Sequence, residues 1–189
     1  YCDSAYFYEQ TNSLEAFSNV RMEQGDTLFV YGNYLHYDGN TQMARLRENV
    51  RMENRPDSVT LFTDSLNYDR VANIGYYFNG GLIVDMENEL SSLYGQYAPS
   101  TKMTVFNDSV RLVNPKFTLY SDTLQYNTES KIATILGPST IVSDSGTVYT
   151  SRGWYNTVEN TSLLLDRSKV VSGSKILIGD SISYNRGMS

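Results

Sequence analysis

The chain has 189 residues, a mass of 21.4 kDa and a formal net charge of −6. This length is sufficient for one domain with a hydrophobic core, and the negative charge argues against a nucleic-acid partner, because phosphates attract basic proteins. Sixteen Tyr, seven Phe and thirteen Gly accompany only four Pro, a composition typical of strands and turns rather than helices. We therefore predict an all-β protein.

A repeat of about thirty residues runs along the whole chain. Its most visible part is the pentapeptide NVRME, which occurs at 19–23 and again at 49–53. A second pattern, Asp/Asn-x-aliphatic-x-Tyr, recurs in step with the first, with looser copies from positions 3, 95 and 152. Its clear copies are NYLHY at 33–37, DSLNY at 64–68, DTLQY at 122–126 and DSISY at 180–184. Two patterns in phase over the chain indicate a structural repeat rather than chance.

Apolar residues alternate with polar ones inside each unit, which predicts a strand, a turn and a second strand. The inward side then changes parity within the first strand, since Leu28 and Val30 are even-numbered whereas Leu35 and Tyr37 are odd-numbered. A parity change at one place in every unit predicts a corner, at which each long strand bends from one wall to another. We predict an elongated, open β-jellyroll (a β-taco) of about thirteen strands, with an apolar lining between two walls. A three-walled right-handed β-helix is the alternative fold.

The pattern L.V.G..L.Y…A.L..NVRM, repeated as TL.TDSLNY and TLYSDTLQY…ATILGPSTI, resembles the OstA-like family. That family includes the periplasmic lipopolysaccharide-transport protein LptA and the N-terminal domain of the outer-membrane translocon LptD. The resemblance covers residues 2–184, with two departures: Ser-Asn-Val at 18–20 and Glu-Asn-Val at 48–50 replace the family's more usual Gly-Asn-Val, and the Tyr content is high. It implies one β-jellyroll domain over residues 2–189 that shields the acyl chains of lipid A while the sugars stay in water.

The resemblance implies a lipid-binding lining made of the aliphatic residues on either side of each corner, and Trp154 is also predicted to face inward. The lining residues are Val30, Leu35, Leu61, Leu66, Leu119, Leu124, Leu177 and Ile182. Burial gains about 0.8 kcal/mol per CH₂, so an acyl chain of about 12–14 carbons would gain on the order of 10 kcal/mol. The alternative is a core filled by side chains without a ligand, and its functional counterpart is a structural or adhesive β-solenoid.

Three arginines, Arg21, Arg51 and Arg111, follow valine anchors and are therefore predicted to point away from the lining, on every second strand. As a functional row they are candidate contacts for the phosphates of lipid A at the mouth of the groove. The simpler alternative is a solvated outer face whose charge is balanced by Glu23 and Glu53.

No pattern typical of catalysis or metal binding is found in the sequence. Asp64, Asp122 and Asp180 lie at the predicted corners, where a carboxylate accepts backbone N–H groups, but one Asp per unit supplies too few ligands for calcium. The single histidine, His36, and the single cysteine, Cys2, form neither a catalytic triad nor a zinc site. A glycosidase needs two clustered carboxylates outside such structural positions. We therefore predict no metal, no cofactor and no enzymatic activity.

The chain starts and stops inside the repeat, which leaves strand edges able to pair with another sheet. We expect either end-to-end stacking with other OstA-like domains through these edges or trimming from a longer chain. No signal peptide is visible and no apolar run is long enough to span a bilayer. The resemblance implies a periplasmic location, with lipopolysaccharide and an outer-membrane translocon as partners.

Overall fold

A computed structural model describes residues 1–185, so residues 186–189 of the predicted domain lie outside the described part. A helix able to cross a bilayer is not found among the described residues. The regular elements are seventeen strands: β1 (Ser4–Tyr8), β2 (Ser13–Gln24), β3 (Leu28–Asp38), β4 (Met43–Asn54), β5 (Val59–Asp69), β6 (Ile74–Tyr77), β7 (Gly81–Asp85), β8 (Asn88–Ser92), β9 (Tyr94–Ala98), β10 (Met103–Asn114), β11 (Phe117–Asn127), β12 (Ile132–Ile135), β13 (Ser139–Ser143), β14 (Gly146–Thr150), β15 (Arg152–Asn156), β16 (Thr161–Ser172) and β17 (Lys175–Asn185).

The strands form one continuous sheet in which all described pairs are antiparallel. Each long strand pairs along its whole length, so β5 contacts β7 with its first half and β6 with its second. The short strands β6 and β7, β8 and β9, β12 and β13, and β14 and β15 are therefore long strands divided at one point. Counting each such pair as one bent strand reduces the seventeen strands to the thirteen predicted. Antiparallel pairing also excludes the alternative β-helix, whose coils pair in parallel.

The predicted corner is present at the same point in every long strand. In β2, β4, β10 and β16 the register shifts at two adjacent residues that both adopt the left-handed conformation. These pairs are Ser18–Asn19, Glu48–Asn49, Asp108–Ser109 and Asp166–Arg167, with φ from 52° to 64°. On the neighbouring strand β3 the buried positions change from Val30 and Gly32 to Leu35, which confirms the predicted parity change.

The corner explains why NVRME is written twice. Asn19 and Asn49 hold a left-handed conformation that Asn tolerates better than most residues. The next four residues return to the extended conformation, so Val and Met face the interior while Arg and Glu face water. The repeated pentapeptide therefore specifies a corner followed by an amphipathic strand.

The corner divides the sheet into two walls. Wall A consists of β1, β6, β9, β12, β15 and the long-strand segments 13–17, 34–38, 43–47, 65–69, 103–107, 123–127, 161–165 and 181–185. Wall B consists of β7, β8, β13, β14 and the remaining halves of the long strands. We call the edge opposite the corner, where the strand ends of the two walls meet, the rim.

Each wall turns a row of directly opposed residues toward the interior. The wall B row is Met22, Val30, Met52, Leu61, Ile83, Leu90, Leu112, Leu119, Ile141, Val148, Val170 and Leu177. The wall A row is Ala16, Leu35, Leu46, Leu66, Tyr77, Gly95, Phe106, Leu124, Ile135, Gly153, Leu164 and Ile182. These two rows supply most of the hydrophobic core.

The left-handed residues of the corner give a first prediction. Asn49→Val should lower the free energy of unfolding by about 1–2 kcal/mol, because a β-branched residue is strained at positive φ, whereas Asn49→Gly should be close to neutral. Urea unfolding measures both. As a matched control, Gln125→Val places the same side chain at an extended, outward position and should cost little. Equal losses for the two valine variants would contradict this account of the corner.

Candidate lipid-binding interior

Six of the eight predicted lining residues lie in the interior, and two differ. Val30, Leu35, Leu61, Leu66, Leu119 and Leu124 are exposed by 6% or less. Ile182 is half-buried, and Leu177 is 56% exposed although it continues the wall B row. Both belong to β17, which within the described residues has β16 as its only neighbour and therefore has no second strand to cover it.

A second inward row of wall A lies between the first row and the rim, and in it tyrosines alternate with small residues. The tyrosine side chains fill the space between the two walls. Along wall A, next to the rim, directly opposed residues are Tyr37, Ala44, Tyr68, Gly75, Tyr97, Thr104, Tyr126, Ala133, Tyr155, Ser162 and Tyr184. Tyr68, Tyr97 and Tyr126 are fully buried. Large and small residues alternate because the strands are only about 4.8 Å apart, which leaves no room for a ring on every strand.

One further tyrosine, Tyr77, fills the wall A row where β6 and β9 pair. The glycines on either side make this possible, since a Cβ on Gly81 or Gly95 would lie 2.5 Å or 2.4 Å from the Tyr77 side chain. Its hydroxyl is hydrogen-bonded to the Ser92 hydroxyl at 2.6 Å. The interior at this point is therefore closed by side chains.

Tyrosine hydroxyls join the two walls at the rim. The Tyr68 hydroxyl donates to Gln24 Oε1 at 2.8 Å, and Asn54 Nδ2 donates to the Tyr97 hydroxyl at 2.7 Å. In the next unit the Tyr126 hydroxyl donates to Asp85 Oδ2 at 2.8 Å. The same connection between the walls thus recurs in three successive units, from an interior tyrosine to a polar residue at the rim end of wall B.

Two ion pairs strengthen the rim in the middle of the chain. Lys131 Nζ lies 2.6 Å from Asp85 Oδ1 and 2.8 Å from Oδ2, and the Asp85 side chain is fully buried. Lys102 Nζ lies 2.5 Å from Asp57 Oδ2, a pair that is more exposed to water. This network was not predicted from the sequence, although a polar residue at 24, 54 and 85 recurs at the repeat interval.

Apolar surface is accessible at the two ends of the described interior. At the β2 end a cavity of about 300 Å³ is lined by Leu14, Ala16, Met22 and Leu35, among others. At the β17 end Leu177 is exposed. Between these ends the aliphatic rows are covered by the opposite wall and by the tyrosines. A long molecule can therefore reach the rows directly only at the ends, unless the rim opens.

A family model described as an OstA-like protein matches residues 1–122. The chain belongs to the OstA-like family. This confirms the resemblance inferred from the repeat, and no curated protein matches. Among solved structures, that of LptH from Pseudomonas aeruginosa is similar, with a TM-score of 0.51 and 15% identity over 56% of this chain and 79% of that chain. LptH is described as the LptA-homologous periplasmic component of a lipopolysaccharide transport device, and at this identity the likeness shows the fold alone.

In this OstA-like fold the predicted arginine row lies on the outer face of wall B, beside the corner and away from the rim. Arg21 and Arg51 face each other across Tyr31, two strands apart, as predicted. Arg111 does not continue this spacing. It lies four strands from Arg51, about 19 Å away, because β7 and β8 intervene. Contact with lipid phosphates stays a prediction for all three, and the pairing of Arg21 with Glu23 and of Arg51 with Glu53 favours the alternative of a charge-balanced outer face for these two.

Two further predictions for the corners have different outcomes. The Asn49 backbone N–H donates to Asp64 Oδ1 at 3.2 Å, as expected for a corner carboxylate. The inward orientation predicted for Trp154 is wrong. Trp154 faces Thr134 and Leu163 on the outer side of wall A, and the inward position is taken by Gly153, whose Cβ would lie 2.4 Å from the Leu163 carbonyl oxygen.

Removing the lysine of the buried ion pair should be costly. Lys131→Met leaves the Asp85 carboxylate buried without its cation and should lower the free energy of unfolding by about 3–5 kcal/mol, as measured by urea unfolding at neutral pH. Lys102→Met, in the more exposed pair, should cost much less. The double variant Asp85→Asn/Lys131→Met should recover a large part of the loss. A Lys131→Met loss no larger than that of Lys102→Met would contradict the burial argument.

The buried tyrosines predict a loss of stability at high pH. Burial raises the pKa of Tyr68, Tyr77 and Tyr97 from 10.0 to about 12. Because the folded-state pKa is raised, their contribution is complete below pH 10 and is lost as the pH rises toward 12, where the unfolded chain ionises and the folded chain does not. Urea unfolding between pH 8 and about 12 should show this decline.

Tyr77→Phe should reduce the pH dependence, since one buried hydroxyl is removed. The matched control is Tyr120→Phe, because the Tyr120 side chain is 47% exposed and should leave the pH dependence unchanged. An equal reduction in both variants would show that the decline has another cause.

Proposed function

We propose that this chain is a non-enzymatic lipopolysaccharide-transport protein of the periplasm, which shields lipid acyl chains with the apolar rows of its two walls. The observation that carries the proposal is the continuity of these rows over twelve directly opposed positions in each wall. Membership of the OstA-like family supports the same function. Apolar contacts are non-directional, so a chain in contact with such rows can slide along them without breaking directional contacts to the rows themselves.

Acyl chains are expected to bind first at the two ends of the interior. The 300 Å³ cavity at the β2 end is lined mainly by aliphatic residues of both walls, and the exposed Leu177 marks the other end. Passage through the middle requires the tyrosines to move and the rim to open, because Tyr68, Tyr97 and Tyr126 occupy the space between the walls. The sugars would remain outside the rim, in water.

Other OstA-like domains and an outer-membrane translocon are the expected protein partners. The edge strand β1 is exposed along its whole length, and β17 is exposed over most of its described positions. Backbone N–H and C=O groups on such edges pair readily with a strand of another sheet. Stacking through these edges would join the apolar rows of successive domains into one longer path.

A structural β-solenoid is the second candidate function, and the filled middle of the interior favours it. Phe106, Leu112 and Leu119 are completely buried, as in a core that holds no ligand. The two candidates differ in one measurable respect. A transport protein must contact lipid with inward residues, whereas a packed solenoid does not.

The test uses a photoreactive benzophenone amino acid at pairs of neighbouring positions that face opposite sides of one wall. On wall B, Leu177 faces inward and Ile178 outward, with nearly equal exposures of 56% and 54%. On wall A at the other end, Leu14 lines the cavity and Glu15 faces outward, and both are half-buried. After irradiation with purified lipopolysaccharide, we expect cross-linked product at 177 and 14 and little at 178 and 15, as detected by a mobility shift and by anti-lipopolysaccharide blotting.

A third inward position, Leu61, reports on the middle of the interior, where it is 1% exposed. Cross-linking there would show that acyl chains travel past the tyrosines. Equal labelling of inward and outward neighbours, or no labelling at any inward position in a folded protein, would reject the transport proposal in favour of the structural candidate.

A further inference from the structure

A broad groove crosses the outer face of wall B above β10, β11, β13, β14 and β16. Its volume is about 750 Å³, and it lies beside the corner on the opposite side of the wall from the apolar interior. Five directly opposed residues form its floor in strand order: Arg111, Tyr120, Thr140, Tyr149 and Lys169. Four strand spacings give this floor a length of about 19 Å.

Two tyrosines of the floor expose their rings to the groove. Tyr120 and Tyr149 are each 47% exposed and are separated by Thr140, so they lie about 10 Å apart. Lys169 Nζ lies 5.8 Å from the centre of the Tyr149 ring. Exposed aromatic rings of this kind provide flat apolar platforms with a polar tip.

Arg111 has no acidic partner, unlike Arg21 and Arg51, the two other arginines of the predicted row. Arg21 is paired with Glu23, and Arg51 Nε lies 3.0 Å from Glu53 Oε1. The residue two positions after Arg111 is Val113 instead of a glutamate. Among residues 1–185 the Arg111 guanidinium has neither an ion-pair nor a hydrogen-bond partner. The groove therefore contains a cation that is free to bind an anion.

The remaining charged groups make the groove both positive and rich in hydrogen-bonding sites. Arg167 and Lys169 add two further cations, and Asp122 and Asp166 add two carboxylates. Together with Arg111 this gives a local excess of one positive charge, in a chain whose net charge is −6. Carboxylates accept hydrogen bonds from hydroxyl groups, whereas guanidinium and ammonium groups donate to phosphate or carboxylate.

We propose that this groove binds an anionic saccharide, with sugar rings on Tyr120 and Tyr149 and a phosphate or carboxylate on Arg111. A sugar ring has an apolar C–H face suited to an aromatic platform and hydroxyl groups suited to the aspartates. An inorganic anion would use the cations but not the two platforms. The spacing of the platforms, about 10 Å, fits a ligand of more than one sugar residue.

The preceding units provide an internal comparison. A second groove of about 630 Å³ occupies the equivalent position over Tyr31, Arg51, Phe62 and Leu82. There Arg51 is neutralised by Glu53 and lies 4.4 Å from the centre of the Tyr31 ring. This second groove has the aromatic floor but lacks a free cation, and it should not bind an anionic saccharide.

The inference does not require acyl chains to bind between the walls, because the groove and the interior lie on opposite faces of wall B. Lipid-free probes test it separately. The main probe is the phosphorylated core oligosaccharide released from purified lipopolysaccharide by mild acid, titrated into the intact protein by calorimetry and by amide NMR. The comparison probes are the same oligosaccharide after enzymatic dephosphorylation, an oligogalacturonate and inorganic phosphate.

We expect the phosphorylated oligosaccharide to bind and to shift the amide signals of Arg111, Tyr120 and Tyr149. Dephosphorylation should weaken binding about tenfold, because one charge-assisted hydrogen bond contributes about this factor to the affinity. Binding of oligogalacturonate as well would identify anionic saccharides in general as ligands, whereas binding of the core oligosaccharide alone would identify the glycan of a glycolipid. Inorganic phosphate binding as tightly as the oligosaccharide would overturn the proposal, as would no saccharide binding.

Substitutions at exposed positions separate binding from folding. Arg111→Ala and Tyr149→Ala should each weaken binding about tenfold, whereas the matched variants Arg51→Ala and Phe62→Ala in the second groove should leave it unchanged. Val113→Glu, combined with Glu89→Gln to avoid two facing carboxylates, should supply Arg111 with a partner and weaken binding without removing any cation. Unchanged binding in folded Arg111→Ala, or equal losses in both grooves, would reject the assignment.

Discussion

The structure depends on one constraint, which is that every strand must keep its apolar side inward on both sides of a shared corner. A continuous extended strand cannot do this around a bend unless the side-chain alternation is interrupted. The interruption is supplied in β2, β4, β10 and β16 by two left-handed residues and in their partners by a change of parity. Because all units bend at the same place, the two walls stay in register and their inner rows remain unbroken. The corner therefore determines both the bend of the sheet and the continuity of the two inner rows.

The interior combines apolar packing with a repeated polar connection, and both come from the same tyrosines. Their rings fill the space between the walls, and their hydroxyls reach Gln24, Asn54 and Asp85 at the rim. A phenylalanine at these positions would fill the same space but would remove one hydrogen bond from each of these polar groups of wall B. Part of the high tyrosine content, which at first indicates only strands, is thus explained by the need to close the rim of a two-walled sheet.

The sequence predicted the features that repeat, and it failed at those that depend on neighbours in space. The corner and the burial of six of the predicted lining residues follow from periodicity, because burial has a period of two on each side of the corner. Leu177 was expected to be buried, yet its exposure depends on how many strands flank β17. The Asp85–Lys131 pair joins residues 46 positions apart, a separation that single-strand patterns do not reveal. Trp154 was assigned the wrong face because RGWYN fits the tyrosine pattern only loosely, and Gly153 occupies the inward position.

The distribution of polar connections along the rim determines where the interior can open most easily. At the β2 end the walls are joined by the uncharged pair of Gln24 and Tyr68. In the middle they are joined by Asp85, which accepts a hydrogen bond from Tyr126 and pairs through both carboxylate oxygens with Lys131, so opening there must break three polar contacts at once. Opening should therefore begin at the ends, where the aliphatic rows are already accessible, and it should reach the middle only when a bound chain compensates for the lost contacts. A chain of about twelve buried CH₂ groups provides on the order of 10 kcal/mol, which is enough to offset the loss of these three contacts.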